Sequence, residues 1–314
     1  MKKIIFVWLL VGALIFSACS TETSKVAHVD NEIEFADDLG RVVCIKEPQR
    51  TAAMLGSFAQ IWQLAGGEVC ATASDAWDDL GLELAEDTVN LGGTVSQSLE
   101  LLLAAKPDFI LASTNTRQNL EWKDTLESIG IPVAYFDVSD FEDYLRMLDI
   151  CTDITGRKDL YEENGSKVKE EIEEILERNR EYFSDQEAPR ILSMTASASF
   201  VKAKNSENNV LGTMLKNMGC VNIADSDKVL LENLSMEHIL ISDPDYIFIA
   251  QRGDNEEGMR QYVEQMMMEH PVWKQLSAVK NGRVYFMEKR LFSLKPNHQW
   301  AEAYRILEEI LRND

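Results

Sequence analysis

The sequence predicts an α/β protein of two similar lobes, each a mainly parallel sheet covered by helices, joined by one long α-helix, with a cleft between the lobes. Three observations carry this reading. Short apolar runs of strand length alternate with helical spacing along most of the chain. One segment recurs: residues 98–113 read SLELLLAAKPDFILAS and residues 235–250 read SMEHILISDPDYIFIA. At one constant offset, Ser98, Glu100, Leu103, Pro107, Asp108 and Ile110 return as Ser235, Glu237, Leu240, Pro244, Asp245 and Ile247. Each copy reads as a short helix, a Pro-Asp turn and a buried strand, and a repeat so widely spaced is two lobes rather than a solenoid. Between the copies, residues 157–183 break the alternation with a single charged helical stretch.

Taken in order, residues 1–18 read as an export signal. Lys2 and Lys3 precede the apolar run 4–16, which is short for a membrane span, and Ser17, Ala18 and Cys19 follow. The run resembles a bacterial lipoprotein signal, in which Cys19 becomes the lipidated first residue. Phe16 departs from the usual Leu, although Ile15 lies one place earlier. Residues 19–32 then form the lipidated cysteine and a polar, flexible tether.

Residues 33–154 make the N-terminal lobe. Residues 33–45 form a hairpin around Asp37-Asp38-Leu39-Gly40, and residues 50–55 a buried strand that turns at Gly56-Ser57. A helix over 58–65 stops at Gly66-Gly67, and a strand follows over 69–73. Residues 77–86 are an acidic loop. Ser98 is a helix N-cap with Glu100 in the first turn, where a negative charge suits the helix dipole. Strands over 109–113 and 133–137 flank a helix over 120–129, and a helix over 141–155 closes at Gly156. Residues 155–183 are the linking helix, with Leu160, Val168, Ile172, Ile175 and Leu176 as a narrow apolar stripe and Asn164-Gly165 as a weak spot. About 26 helical residues span roughly 39 Å, suited to a strut. Residues 184–314 make the C-terminal lobe. Its strands lie over 190–194, 221–223 and 284–287 and in the repeated unit, and its helices over 209–218, 256–268 and 299–311.

The chain is 45% apolar and 27% charged, enough to bury real cores. Its net charge of −22 argues against nucleic acid as a partner, because phosphate binding needs a basic face. Beyond the leader stand Cys44, Cys70, Cys151 and Cys220, without metal-site spacing; each has apolar neighbours and reads as a buried free thiol, although export permits a disulfide. No P-loop, dinucleotide fingerprint, zincin motif or nucleophile elbow is present. Scattered His28, His238, His270 and His298 give no site for a free metal ion.

The two S-[LM]-E…P-D-[FY]-I blocks, the start Asp38-Leu39-Gly40-Arg41 and the strut resemble the substrate-binding lipoproteins of ABC importers for ferric siderophores, haem and cobalamin. The resemblance runs from about residue 33 to the end. It implies two Rossmann-like lobes, no catalysis and no cofactor, a small-molecule metal chelate as ligand, and lipid anchoring as a monomer on the outer face of the cell membrane. It also implies that Glu100 and Glu237, one per lobe, meet arginines of an ABC permease dimer; a first-turn carboxylate on a rim suits bidentate arginine. Ligands of open α/β sheets bind beyond strand C-termini. Arg117, Lys202, Lys204, Arg252 and Arg290 supply cations there, and Trp77, Phe200 and Phe292 supply rings. Trp122 and Trp300 are assigned to packing. The reading is a ferric siderophore first, with cobalamin or haem as alternatives and His298 or Met54 as possible axial ligands. An exported α/β hydrolase-type enzyme is the rival from another class.

Overall fold

The computed structural model describes residues 27–29, 32–207 and 209–312. The signal segment, Cys19 and most of the tether lie outside the described residues. No described helix is long and apolar enough to cross a membrane.

An antiparallel ribbon comes first: β1 (Ala27–Val29), β2 (Glu32–Ala36) and β3 (Val42–Ile45). The Asp-Leu-Gly-Arg start fixes it to the first lobe. The buried Asp37 carboxylate accepts the backbone N–H groups of Leu39 and Arg41, both at 3.0 Å, and that of Tyr135 at 3.2 Å. It also pairs with the Arg41 guanidinium, which donates to the Val133 carbonyl.

The first lobe holds β4 (Thr51–Ala53), β5 (Val69–Thr72), β6 (Val89–Asn90), β7 (Phe109–Ser113) and β8 (Val133–Phe136), all parallel in the order β6-β5-β4-β7-β8. The second holds β9 (Arg190–Ser197), β10 (Phe200–Lys204), β11 (Val221–Asn222), β12 (Tyr246–Gln251) and β13 (Val284–Met287). Here β11, β12 and β13 repeat the parallel pattern around β9, as β5, β7 and β8 do around β4. The second lobe adds β10, antiparallel to β9, on the edge whose other end pairs with β11.

The repeated segment builds the same clamp in both lobes. The Ser98 and Ser235 hydroxyls cap the helices Leu99–Ala104 and Met236–Ser242. Lys106 (φ 50°) and Asp243 (φ 37°), equivalent in the two copies, turn the chain through the left-handed region. Asp108 then accepts the N–H of Gln49 and Arg50, and Asp245 that of Arg190, each at 2.9 Å. The Arg50 guanidinium donates to the Ala105 carbonyl and the Arg190 guanidinium to that of Ser242, both at 2.7 Å. Each clamp holds the start of its central strand against the end of the repeated helix.

The strut is continuous from Lys158 to Tyr182, with a π-turn over Glu162–Ser166 at the weak spot. Its Gly165 lies against Leu145 and Leu148, where a Cβ would approach their methyl carbons to 3.1 and 3.3 Å. Val168, Ile172 and Ile175 are buried. The C-terminal helix Trp300–Arg312 packs along the strut, and Arg178 grips Glu308 with two bonds of 3.0 and 2.9 Å. Trp300 is fully buried with its ring 6.0 Å from that of Phe141 in the first lobe, and Trp122 packs at the edge of a core. One hydrophobic core therefore runs without a break through the first lobe, the strut and the second lobe.

Four readings of the sequence are corrected. The helix read over 120–129 is two short ones, Arg117–Glu121 and Lys123–Ser128, parted at Trp122. The acidic loop opens with a helical turn, Asp75–Asp78. The segment after β9, read as loop, is β10: Val201 and Ala203 face a core and hold the segment on the sheet edge. Cys44 is exposed rather than buried, because it alternates with the buried Val43 and Ile45 on a ribbon strand. All four described thiols are free.

Candidate functional site

A cleft opens between the lobes, with a volume of about 340 Å³. Every element that lines it arrives from the C-terminal end of a strand. Leu55 and Ser57 follow β4, Thr94 and Val95 follow β6, Ser113 ends β7 and Asn115 follows it, and Ser139 follows β8. From the other lobe come Lys204 at the end of β10, Asn209 and Val210 at a helix start, Arg252 after β12, and Phe292 to Lys295 after β13. This is where open α/β sheets bind ligands.

Two longer helices begin at the cleft, Gly56–Leu64 and Val210–Asn217, and their N-terminal dipole ends favour negative charge. The first start is tightly built: a Cβ on Gly56 would lie 2.4 Å from the Ala76 backbone nitrogen, and Asp75 accepts the Gly56 N–H at 2.9 Å. Burial holds Asp75 above the usual carboxylate range despite that bond.

Charge is the cleft's most distinctive property. Lys204, Arg252 and Lys295 line it, and among the described residues no carboxylate does. None of the three has an ion-pair partner among the described residues. Burial, with Arg252 and Lys202 nearby, pushes the Lys204 ammonium below its ordinary range. Burial also lowers Lys295, whose nitrogen lies 5.7 Å from the centre of the Phe58 ring in the opposite lobe. Hydroxyls of Ser57, Ser113, Ser139, Thr195 and Ser293 add to the polar lining, with the Asn115 and Asn209 amides.

Polar contacts also bridge the lobes. Lys289 reaches Asp79 at 2.5 Å across the lobes and also pairs with Asp254 of its own lobe. The buried Asn297 donates to the Ser57 carbonyl at 3.0 Å and to Gln60 at 2.7 Å.

Of the residues singled out from sequence, Lys204, Arg252 and Phe292 line the cleft. Arg117 lies in a neighbouring surface depression, highly exposed and paired with Glu121 at 2.7 Å. Phe200 and Lys202 border a separate depression with Leu230, Tyr262 and Met266. Trp77 is partly buried in the turn after β5 and Arg290 lies near His298; neither lines the cleft. Glu100 and Glu237 are exposed in the first turns of the repeated helices. Neither His298 nor Met54 lines the cleft, whereas Met194 does. Lys295 was not found from sequence: Lys-Pro-Asn reads as a helix start, and only the chain path after β13 brings it inward. Among the described residues, no cluster of three or more His, Cys, Asp or Glu is arranged to hold a metal ion.

Comparison with known proteins agrees with this architecture. Bacillus subtilis YhfQ, which carries the name of an ABC transporter substrate-binding lipoprotein, is 21% identical over 98% of this chain and 97% of its own length. The Fe(3+)-citrate-binding protein of the same bacterium is 25% identical over 88% of this chain and 86% of its own. The crystal structure of Staphylococcus aureus SirA complexed with staphyloferrin B shares the fold, with a TM-score of 0.66 and 17% identity over 92% of this chain and 98% of that one. Residues 52–291 match the family described as periplasmic binding protein. That match starts in β4 of one lobe, ends in the short helix beyond β13 of the other, and spans both walls of the cleft: the chain belongs to the periplasmic binding protein family.

Proposed function

We propose that the protein captures an anionic ferric chelate in the interlobe cleft, outside the membrane, and delivers it to an ABC permease. The observation that carries the reading is the charge of the cleft: among the described residues three cations line it without an ion-pair partner and no carboxylate does, in a chain of net charge −22. Three cations gathered with no carboxylate among them repel one another, and an anion filling the space between them removes that cost. The hydroxyl and amide lining suits the oxygen-rich rim of a carboxylate or catecholate chelate. The name of the Fe(3+)-citrate-binding relative supports the same ligand class. The metal is cargo and keeps its own chelator. Haem and corrinoids fit less well, because no described His or Tyr lines the cleft and Met194 is almost wholly buried.

In this reading Cys19 anchors the chain to lipid, and Glu100 and Glu237 orient it over the two halves of the permease. Binding without turnover is the role, as in the transport-associated relatives, rather than an exported hydrolase. The test is a titration of the purified protein, followed by tryptophan fluorescence, with ferric citrate, a ferric tris-catecholate, haemin and cobalamin. Saturable binding of one anionic ferric chelate is expected. Preference for cobalamin or haemin, or no binding of either ferric chelate, overturns the reading.

A further inference from the structure

We propose that Lys295, which lines the cleft opposite Phe58 of the other lobe, is the residue that selects for anionic ligands there. This deepens the reading above and rests on it. Lys295 follows β13 and lines the cleft from the second lobe, with Phe58 of the first lobe facing its nitrogen. A single ring at 5.7 Å is a weak substitute for water or a counter-ion.

The charged groups around Lys295 explain why it waits unpaired. Asp75, Asp137 and Asp143 act on it from the first lobe. Each already has other partners: Asp75 takes the Gly56 N–H, Asp137 takes Asn115 and Ser139, and Asp143 takes Arg146 and the start of its own helix. Arg252 opposes the ammonium from the same lobe, and Lys204 shares the cleft. Burial, and after it Arg252, lower the Lys295 ammonium from its ordinary range, against the opposing pull of the three aspartates.

An anionic ligand reverses that balance. A carboxylate or catecholate oxygen beside Lys295 favours the ammonium, so at pH above the lowered value of the empty protein capture takes up a proton from bulk water. The sign follows from linkage. Affinity is full while Lys295 is protonated in the empty protein, and falls as pH rises through its lowered value there. The unpaired ammonium also opposes folding of the empty protein, so an apolar substitute should stabilise it. A purely packing role predicts the reverse.

The experiment compares wild type, Lys295→Met and Lys295→Arg, with ferric citrate and a ferric tris-catecholate as probes, from about pH 6 to about pH 10. The ratio of variant to wild-type affinity at each pH cancels the titration of the chelate and of Lys204. Lys295→Met should bind about 10- to 100-fold more weakly at neutral pH, with the deficit shrinking as pH rises. The empty Lys295→Met protein should melt at a higher temperature than wild type. Lys295→Arg should keep most of the affinity and lose the Lys295 part of the pH slope, because arginine stays charged. Unchanged binding by Lys295→Met with intact wild-type binding overturns this inference alone. Failure of wild type to bind either probe overturns it together with the proposed function. If Lys295→Met does not fold, Lys295→Arg decides: a pH slope equal to wild type sinks the proposal.

Discussion

Asp108 and Asp245 show how a residue earns its place in a repeat without touching a ligand. Each accepts the N–H at the head of its lobe's central strand; Asp108 takes two such bonds and Asp245 one. A net hydrogen bond contributes about 0.5–1.5 kcal/mol, so Asp108→Ala should destabilise more than Asp245→Ala, by about that amount, in urea unfolding. Neither should alter ligand affinity. If the proposed docking role holds, the glutamates of the same segment should behave in the opposite way. Glu100→Ala with Glu237→Ala should leave ligand affinity unchanged and abolish uptake by cells; a loss of affinity instead would move them into the pocket. At this scale the sequence was uneven. Arg252 and Phe292 were legible because they follow recognisable strands. Lys295 was not, since a lysine before proline carries no sign of where the chain will carry it.

Among the elements, the strut was the most legible, down to the break at Asn164-Gly165 where the helix widens into a π-turn. Its charged repeat fixes its character locally. The hairpin strand β10 was hidden because the turn before it, Ala198-Ser199, lacks the Gly, Asn or Pro that usually marks one. The split helix near Trp122 has no breaker residue either. The contact between strut and C-terminal helix rests partly on charge. Arg178 and Arg312 hold Glu308 below the usual carboxylate range. A carboxylate lowered in the folded state adds stability above its unperturbed value of 4.5, and loses it as pH falls through the folded value. Glu308→Gln should therefore lower stability near neutrality by about 1 kcal/mol, since Arg178 is half exposed and screened. The gap between variant and wild type should close in acid, as followed by thermal melts across pH.

For the whole molecule, the alternation and the repeat made the two-lobed plan readable, while the merging of their cores depended on contacts between distant residues. The continuous core, the buried Asn297 bonds and the Lys289–Asp79 bridge all cross from lobe to lobe. A wide clamshell motion would have to break them. X-ray scattering of empty and ferric-chelate-bound protein should show nearly the same radius of gyration; a large contraction on binding would contradict the rigid frame.

The basic cleft within an acidic surface has a kinetic consequence. A chelate anion approaching from afar meets a net charge of −22, and near the cleft it meets Lys204, Arg252 and Lys295. Dissolved salt screens the distant repulsion most, since the Debye length is about 10 Å at 0.1 M, and the buried contacts least. Stopped-flow mixing should then show association quickening as salt is added, while the bound complex shortens its lifetime only slightly. Such a carrier would load most readily in a brackish medium, and a fresher one would slow its entry step without loosening its hold.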